Sequence, residues 1–306
     1  MTLVSTGELV AAAAARGGGV AAFNVITLEH AEAIAHAAEI SQTPLIFQIS
    51  QNAVSFHGGK VVPIAAAAGA VARLADVPIA LHLDHVTEDG LVAEAAEAGF
   101  SSLMYDGGPL PYRENVERTS RARSAAQAAG LWVEAELGYV GGKPDAPRGA
   151  HEPGVRTDPD EARRFVDETG VDALAVAVGS SHAMTSRSAV LDIPLIERLR
   201  ARLSVPLVLH GSSGVPAETL RAAVAAGISK VNIGTALNVA MTGAVRRVLA
   251  GDPRLVDPRT YLAKARDEIT ATVLDLLSVV SAGTAGSTGS TGSTGSGNSG
   301  NSGGSR

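Results

Sequence analysis

Short apolar runs alternate with Ala-rich amphipathic stretches along most of the chain. Continuous runs rich in Val, Ile, Leu and Ala are typical of strands buried on both faces of a parallel sheet. They occupy residues 21–26, 44–50, 79–85, 101–106, 131–138, 173–179, 206–212 and 230–235. Helical patterns lie between them, including 28–40, 91–100, 160–170 and 216–227. Asp158-Pro159 predicts a helix start, and Gly227 predicts a helix C-terminal cap.

The repeated β-then-α order predicts an α/β protein, a single (β/α)8 TIM barrel spanning residues 1–280. A doubly wound open sheet also alternates strands and helices. However, no G-x-G-x-x-G follows the first strand, and the chain contains no P-loop. The barrel is therefore favoured.

The two remaining segments differ from the barrel pattern. Residues 281–306 are Gly-, Ser- and Thr-rich, with almost nothing apolar to bury, so we expect a flexible, disordered C-terminal tail. Residues 139–157, rich in Gly, Pro and charge, interrupt the unit after the fifth strand. Loops of this length are often lids or binding loops.

Composition narrows the function. The chain has 306 residues, no cysteine and a formal charge of −6, which exclude a thiolate nucleophile and argue against a nucleic-acid partner. No apolar run reaches the ~18 residues of a membrane span. The first ten residues do not resemble a signal peptide. We expect a cytoplasmic protein.

In a barrel, the active site lies at the carboxyl ends of the strands. The polar residues at these ends are Asn24, Ser50, His82, Asp84, His85, Asp106, His182, His210, Asn232 and Thr235. Three histidines at one level of the ring could hold a divalent metal and leave a fourth position open. A lone strand-end histidine is more often a hydrogen-bonded structural residue.

Side-chain alternation separates the residues of the third strand. His82 is expected to pack within the barrel. Asp84 and His85 both reach the rim only if the backbone turns there. The other histidines, on helix or loop patterns, are predicted to have surface roles: His30, His36, His57 and His151.

The Gly211-Ser212-Ser213 and Asn232-Ile233-Gly234-Thr235 segments follow neighbouring strands. They could be simple turns. Glycine and hydroxyl residues at two adjacent strand ends also form backbone-amide cradles for phosphate, often after strands seven and eight of TIM barrels. We favour the cradle.

The motifs LHLDH (81–85), MYDGG (104–108), VEAELG (133–138), GSSH (179–182), LHGSSGVP (209–216) and VNIGT (231–235) follow one another in this order. Over residues 1–280 the chain resembles the class II aldolases, the family of zinc fructose-bisphosphate and tagatose-bisphosphate aldolases. The resemblance implies a catalytic Zn²⁺ on His85, His182 and His210. It implies an acid/base at Asp84, which exchanges a proton with the aldehyde-derived oxygen.

Other roles follow from the same resemblance. Asp106 and Glu136 match positions that can hold a second, less essential divalent metal, and Asn24 and Ser50 match substrate contacts. The phosphate grip corresponds to Gly211, Ser212, Ser213, Asn232, Ile233, Gly234 and Thr235. No Schiff-base lysine is required, and we expect Lys230 to open its strand at the opposite, structural end. Family members are commonly homo-oligomers, dimers or tetramers.

The chain departs from the family at two places. Pro144 stands where well-studied members carry the Glu that removes the ketose-phosphate proton, and proline cannot act as a base. Asp145 or Glu152 could substitute by composition. Ala183 follows the sixth-strand histidine, where many members have Gly.

We therefore predict reversible, zinc-dependent aldol cleavage of a ketose 1,6-bisphosphate to dihydroxyacetone phosphate and an aldehyde phosphate. Fructose 1,6-bisphosphate is favoured only as the commonest substrate of the family. The alternatives are tagatose bisphosphate or another phosphorylated ketose, a zinc barrel hydrolase, and a non-catalytic sugar-phosphate-binding descendant.

Overall fold

The computed structural model describes residues 3–138, 140 and 156–281. They contain a closed barrel of parallel strands in which each strand pairs with its chain neighbours and β8 closes onto β1. The strands are β1 Val20–Asn24, β2 Leu45–Ser50, β3 Ile79–Val86, β4 Ser102–Tyr105, β5 Trp132–Leu137, β6 Ala173–Val176, β7 Leu207–Leu209 and β8 Ile228–Ile233. The (β/α)8 prediction is confirmed, and the doubly wound alternative is wrong.

Helices surround the barrel and connect its strands. Those before β5 are α1 Thr6–Ala15, α2 Leu28–Ser41, α3 Gln51–Phe56, α4 Val61–Leu74, α5 Asp89–Glu94 and α6 Tyr112–Ala128. Those after it are α7 Pro159–Thr169, α8 Ile193–Arg202, α9 Ala217–Ala226, α10 Thr235–Gly251 and α11 Pro258–Val280. The predicted helix 91–100 is wrong in extent, since α5 ends at Glu94 and turns lead on to β4.

Two predicted helix ends are confirmed by their capping geometry. The Asp158 carboxylate accepts hydrogen bonds from the backbone N–H groups of Asp160 and Glu161, at the start of α7. Gly227 ends α9 with φ +126°, a conformation that L side chains rarely adopt. Local chemistry therefore fixes these ends.

The barrel interior changes from apolar at one end to polar at the other. Near the amino ends of the strands, Ala22, Ile46 and Ala80 pack with Val10 and Ala13 of α1, which closes that end. Because side chains alternate along a strand, the residues two positions further on share the same inward face. In β2 and β3 these are Gln48 and His82, which lie side by side in the register. The polar layer ends at the rim that carries the predicted site.

Some predictions concern residues outside the described ranges. These are the base candidates Asp145 and Glu152, Pro144, His151, and the tail beyond Ser281. Of the helices in the described part of the chain, none is both long and apolar enough to cross a membrane.

Candidate metal centre and substrate pocket

Three histidines from separate strand ends converge at the carboxyl end of the barrel. His85, His182 and His210 each offer a ring nitrogen, and these atoms all lie within 4.8 Å of one another. Their ring centroids are 4.9 to 5.8 Å apart. Imidazole nitrogens at this separation suit a single divalent ion, with room for a further ligand.

A local break in β3 brings Asp84 and His85 to the same site. The β3–β4 register shifts between Leu83 and Val86, and His85 has φ +52°. In a regular strand these neighbouring side chains would point to opposite faces. The irregularity instead lets Asp84 and His85 both line the pocket. This is the backbone turn that the sequence analysis required.

Carboxylates orient two of the three rings. A carboxylate only accepts hydrogen bonds, so the Nδ1–H of His85 donates to Asp106 Oδ2 at 2.8 Å. By the same reasoning the Nε2–H of His210 donates to Glu134 Oε1 at 2.8 Å. His210 Nδ1 is buried and, within the described residues, has no hydrogen-bond partner. Nε2 of His85 and Nδ1 of His210 are thus the nitrogens with a lone pair to offer, an arrangement typical of metal-binding histidines.

Sequence reasoning missed a buried ionic network directly below the histidines. Lys230 does not open its strand. It is the third residue of β8 and fully buried, and its Nζ donates to Glu134 Oε2 at 2.8 Å. Burial would raise the pKa of Glu134, but the Lys230 ammonium and the bond from His210 hold it well below its usual range. Polar and apolar residues alternate in Lys230-Val231-Asn232 of β8 and in Glu134-Ala135-Glu136 of β5. Because residues two apart share one face of a strand, this alternation could have shown that Lys230 and Glu134 both face the barrel interior.

His82 lies within the barrel, as predicted. It is fully buried, and its Nδ1 lies 2.8 Å from the Ser102 hydroxyl, which donates in turn to Thr6 Oγ1. Burial, followed by the nearby Lys230 charge, lowers the pKa of His82 to about 3. His82 is therefore a neutral structural residue at physiological pH.

His85, His182 and Asp84 open onto a cavity of about 470 Å³, a size that suits a small metabolite, and His210 lies fully buried behind its wall. Predicted site residues that line it are Asn24, Ser50, Asp84, His85, His182, Gly211, Ser212, Ser213, Asn232, Gly234 and Thr235. Residues that the sequence analysis did not single out also line it: Ile26, Gln48, Asn52, Ala53, Phe56, Ser181 and Asn238. Gln48 lies in β2 and Asn238 in α10, whereas the others lie on loops or on the short helix α3, where no periodic pattern marks them.

Other predicted site residues lie behind the cavity wall. Ile233 is fully buried in the hydrophobic core, so only its backbone could face a ligand. Asp106 and Glu136 do not line the cavity. Asp106 contacts His85, and Glu136 Oε2 lies 3.4 Å from His210 Nδ1. Both carboxylates therefore contact metal-centre histidines without lining the cavity.

The two glycine- and hydroxyl-rich segments meet at the amino end of α10. The Ser213 hydroxyl accepts from the backbone N–H of Ala236 at 3.1 Å, and the Ser212 hydroxyl donates to the Asn232 carbonyl. Gly234 precedes α10, a helix of 17 residues whose first N–H groups have no partner within the helix. Such a helix end attracts anions.

Two smaller observations qualify the predicted roles. Ser50 caps α3 by accepting from the Ala53 N–H at 3.2 Å, so its hydroxyl already has a structural task. Ala183, beside the metal-centre histidine, has φ +57° without being glycine. That conformation stores strain next to His182.

The remaining histidines divide between surface and interior. His36 is exposed, as predicted. His57 is half-buried, and its Nε2–H donates to the Ile26 carbonyl at 2.7 Å. The surface prediction for His30 is wrong, because α2 turns this ring inward, where it is 2% exposed and its pKa is lowered by burial.

A barrel with three histidines that could hold a metal ion, a buried carboxylate beside them and an anion-attracting helix end is typical of enzymes that act on small anionic molecules. Comparison with known proteins narrows this class. Residues 4–285 match the family model described as "Fructose-bisphosphate aldolase class-II". The chain belongs to this family and is a ketose-bisphosphate aldolase, a carbon–carbon lyase.

Individual relatives also carry aldolase names. The chain is 39% identical over 275 residues to a fructose-bisphosphate aldolase of Geobacillus stearothermophilus, covering 90% of this chain and 95% of the relative. It is 36% identical to a probable fructose-bisphosphate aldolase of Bacillus subtilis, covering 90% and 96%. Among solved structures, the YdjI aldolase of Escherichia coli K12 matches with a TM-score of 0.77 at 29% identity, covering 91% and 97%.

Proposed function

We propose that the protein catalyses reversible, zinc-dependent cleavage of fructose 1,6-bisphosphate to dihydroxyacetone phosphate and an aldehyde phosphate. The convergence of His85, His182 and His210 beside Asp84 is the observation that carries this proposal. The relatives named fructose-bisphosphate aldolase support the choice of substrate.

The residues present fit a zinc ion. The ligand set is three imidazoles, which zinc accepts in catalytic sites. Asp106 and Glu134 fix two of the rings by hydrogen bonds, and His210 Nδ1 is buried with no hydrogen-bond partner among the described residues. Zinc bound there would supply Lewis-acid polarisation of a substrate oxygen.

Asp84 is the proposed acid/base. Its side chain is 2% exposed, and its Oδ2 lies 3.7 Å from His85 Nε2. A carboxylic acid at this position could give a proton to the aldehyde-derived oxygen during bond formation and remove it during cleavage. Asn232 Nδ2, 3.5 Å from Asp84 Oδ1, keeps that carboxyl beside the cavity.

The proposed site for the phosphate of dihydroxyacetone phosphate is the amino end of α10. The proposed grip consists of the backbone of Gly211, Gly234 and Thr235 with the Ser213 hydroxyl. Among the described residues that line the cavity, none is Lys or Arg. Backbone N–H groups and the helix dipole would therefore supply the attraction for phosphate. Ser212 contributes by bracing the Asn232 carbonyl instead of by contacting the ligand.

Three further expectations stay predictions: a second metal near Asp106 and Glu136, a base at Asp145 or Glu152, and a cytoplasmic homo-oligomer.

A cleavage assay over fructose and tagatose 1,6-bisphosphates, with added zinc or with EDTA, tests the proposal. We expect release of dihydroxyacetone phosphate from fructose 1,6-bisphosphate that EDTA abolishes and zinc restores. Cleavage of tagatose bisphosphate alone would overturn the substrate choice. Phosphate release by water without carbon–carbon cleavage would identify a hydrolase.

A further inference from the structure

A single buried ammonium group contacts both halves of the site from below. Lys230 Nζ donates to Glu134 Oε2 at 2.8 Å and to Asn232 Oδ1 at 2.7 Å. Lys230 and Glu134 are both fully buried. Neither residue lines the cavity, whereas Asn232 does. The lysine therefore acts on the site only through its two partners.

The first partner leads to the metal centre. With Oε2 of Glu134 held by Lys230, Oε1 accepts the Nε2–H of His210 at 2.8 Å. A histidine that donates from Nε2 keeps an unprotonated Nδ1 when it is neutral. In His210 that Nδ1 is the buried atom without a hydrogen-bond partner in the described residues. The lysine thus fixes which nitrogen His210 presents.

The second partner leads to the substrate. An ammonium group has no acceptor, so it can pair only with the oxygen end of the Asn232 amide. The NH2 end must then face the opposite way, and its acceptor there is Asp84 Oδ1 at 3.5 Å. His210 Nε2 is nearer, at 3.0 Å from Nδ2, but it carries the proton given to Glu134 and cannot accept. A donor is thereby presented beside the proposed acid/base. An apolar residue in place of the lysine would leave both orientations of the amide accessible.

We propose that Lys230 is a positioning residue for the aldolase reaction. Its charge fixes the Glu134 carboxylate that orients His210 toward the metal, and it fixes the Asn232 amide that faces the substrate. This inference rests on the proposed function. Stability alone does not account for the lysine, because a well-packed apolar pair often replaces a buried ion pair without loss.

Lys230→Met and the double variant Lys230→Met/Glu134→Gln separate the two effects. The single variant leaves the Glu134 carboxylate buried without its cation, and we expect zinc affinity to fall about 10- to 100-fold, the range for metal-site supporting residues. In the double variant, the side-chain carbonyl of the introduced amide can still accept from His210, so zinc affinity should return to within a few-fold of the parent. The Asn232 amide remains unfixed, so the dissociation constant for dihydroxyacetone phosphate at saturating zinc should stay raised about tenfold, the effect of one lost hydrogen bond.

Lys264→Met is the matched control, since Lys264 pairs with Asp267 on the surface at 3.2 Å. It should leave zinc affinity and ligand affinity unchanged. Zinc affinity is measured by chelator competition, and the protonated nitrogen of His210 by ¹⁵N NMR on the metal-free proteins. Both readouts are independent of catalysis, so an inactive parent would overturn the proposed function while leaving this test intact.

Parental zinc affinity and parental His210 protonation in Lys230→Met would overturn the proposal. So would a double variant that recovers ligand affinity as well as zinc affinity, because charge balance alone would then explain the lysine. If Lys230→Met does not fold, the double variant supplies the decisive ligand measurement.

Discussion

Gly211→Ala is a substitution that the close contact between two histidine-bearing loops does not allow without movement. Gly211 follows His210 and has φ +64°. A Cβ built on it would lie 2.6 Å from the carbonyl carbon of Ser181, 2.7 Å from its oxygen and 2.9 Å from its nitrogen. Ser181 precedes His182, so the glycine forms the contact between the loops that carry two of the three histidines. Backbone atoms cannot rotate out of the way as a side chain could.

The expected cost has two parts. A left-handed conformation costs an L-residue roughly 1–2 kcal/mol, and overpacking a dense contact costs about 1–3 kcal/mol more. The sum is about 2–5 kcal/mol, and about 1.4 kcal/mol corresponds to a tenfold change in an equilibrium constant. If the loops separate to relieve the contact, His182 and His210 move apart, and zinc affinity should fall by about tenfold or more.

Gly130→Ala is the control, because Gly130 also has a left-handed φ, +77°, yet nothing lies within 4 Å of an added Cβ. It precedes β5, at the end of the barrel opposite the histidines. Thermal melts of the metal-free proteins and chelator competition for zinc compare the two variants. We expect both to lose stability, and only Gly211→Ala to lose zinc affinity. If Gly211→Ala melts like Gly130→Ala and binds zinc like the parent, the close contact between the two loops is not a feature of the molecule.

Further substitutions test the separate roles. His182→Ala should strip the metal and abolish cleavage, and full zinc content by elemental analysis would remove this residue from the ligand set. Asp84→Asn should keep zinc while turnover falls about 10²- to 10⁴-fold, the scale of lost proton-transfer catalysis; unchanged turnover would exclude Asp84 as the acid/base. Ala183→Gly should relieve the left-handed strain and raise the free energy of unfolding by about 0.5–1 kcal/mol, and a lower melting temperature would contradict this. Asp145→Ala and Glu152→Ala, singly and together, should slow hydrogen exchange between dihydroxyacetone phosphate and deuterated water; exchange at the parent rate in all three would show that neither carboxylate is the base.

Much of the barrel could be predicted because its strands are buried on both faces. Their continuous apolar runs distinguish them from the amphipathic helices, and strand ends in a barrel share one rim. That logic put the strand-end histidines on one rim, and the family resemblance then singled out His85, His182 and His210. The structure confirms the convergence of these three residues. The boundaries were less accurate, as at α5, because turn residues after Glu94 continue an Ala-rich pattern.

The interior network could not be predicted as readily. Lys230 was assigned to the structural end of its strand because the strand was expected to begin there, two residues after its actual start at Ile228. With the strand start misplaced, the sequence analysis did not recognise that Lys230 and Asn232 lie on the same inward face of β8. His30 was misassigned for a related reason, since an amphipathic pattern shows which face of α2 is apolar but not how far α10 and α11 cover it. In both cases, contacts between segments that are distant in the sequence decide that the side chain is buried.

The central claim is that a metal held by the three histidines is required for cleavage. Zinc titration of the metal-free protein tests this claim most directly. Release of dihydroxyacetone phosphate from fructose 1,6-bisphosphate is recorded at each added equivalent of zinc. We expect no release without metal and a rise that levels off at about one zinc per chain, the stoichiometry of a single catalytic site. Cleavage at full rate by the metal-free protein in the presence of a chelator would contradict it.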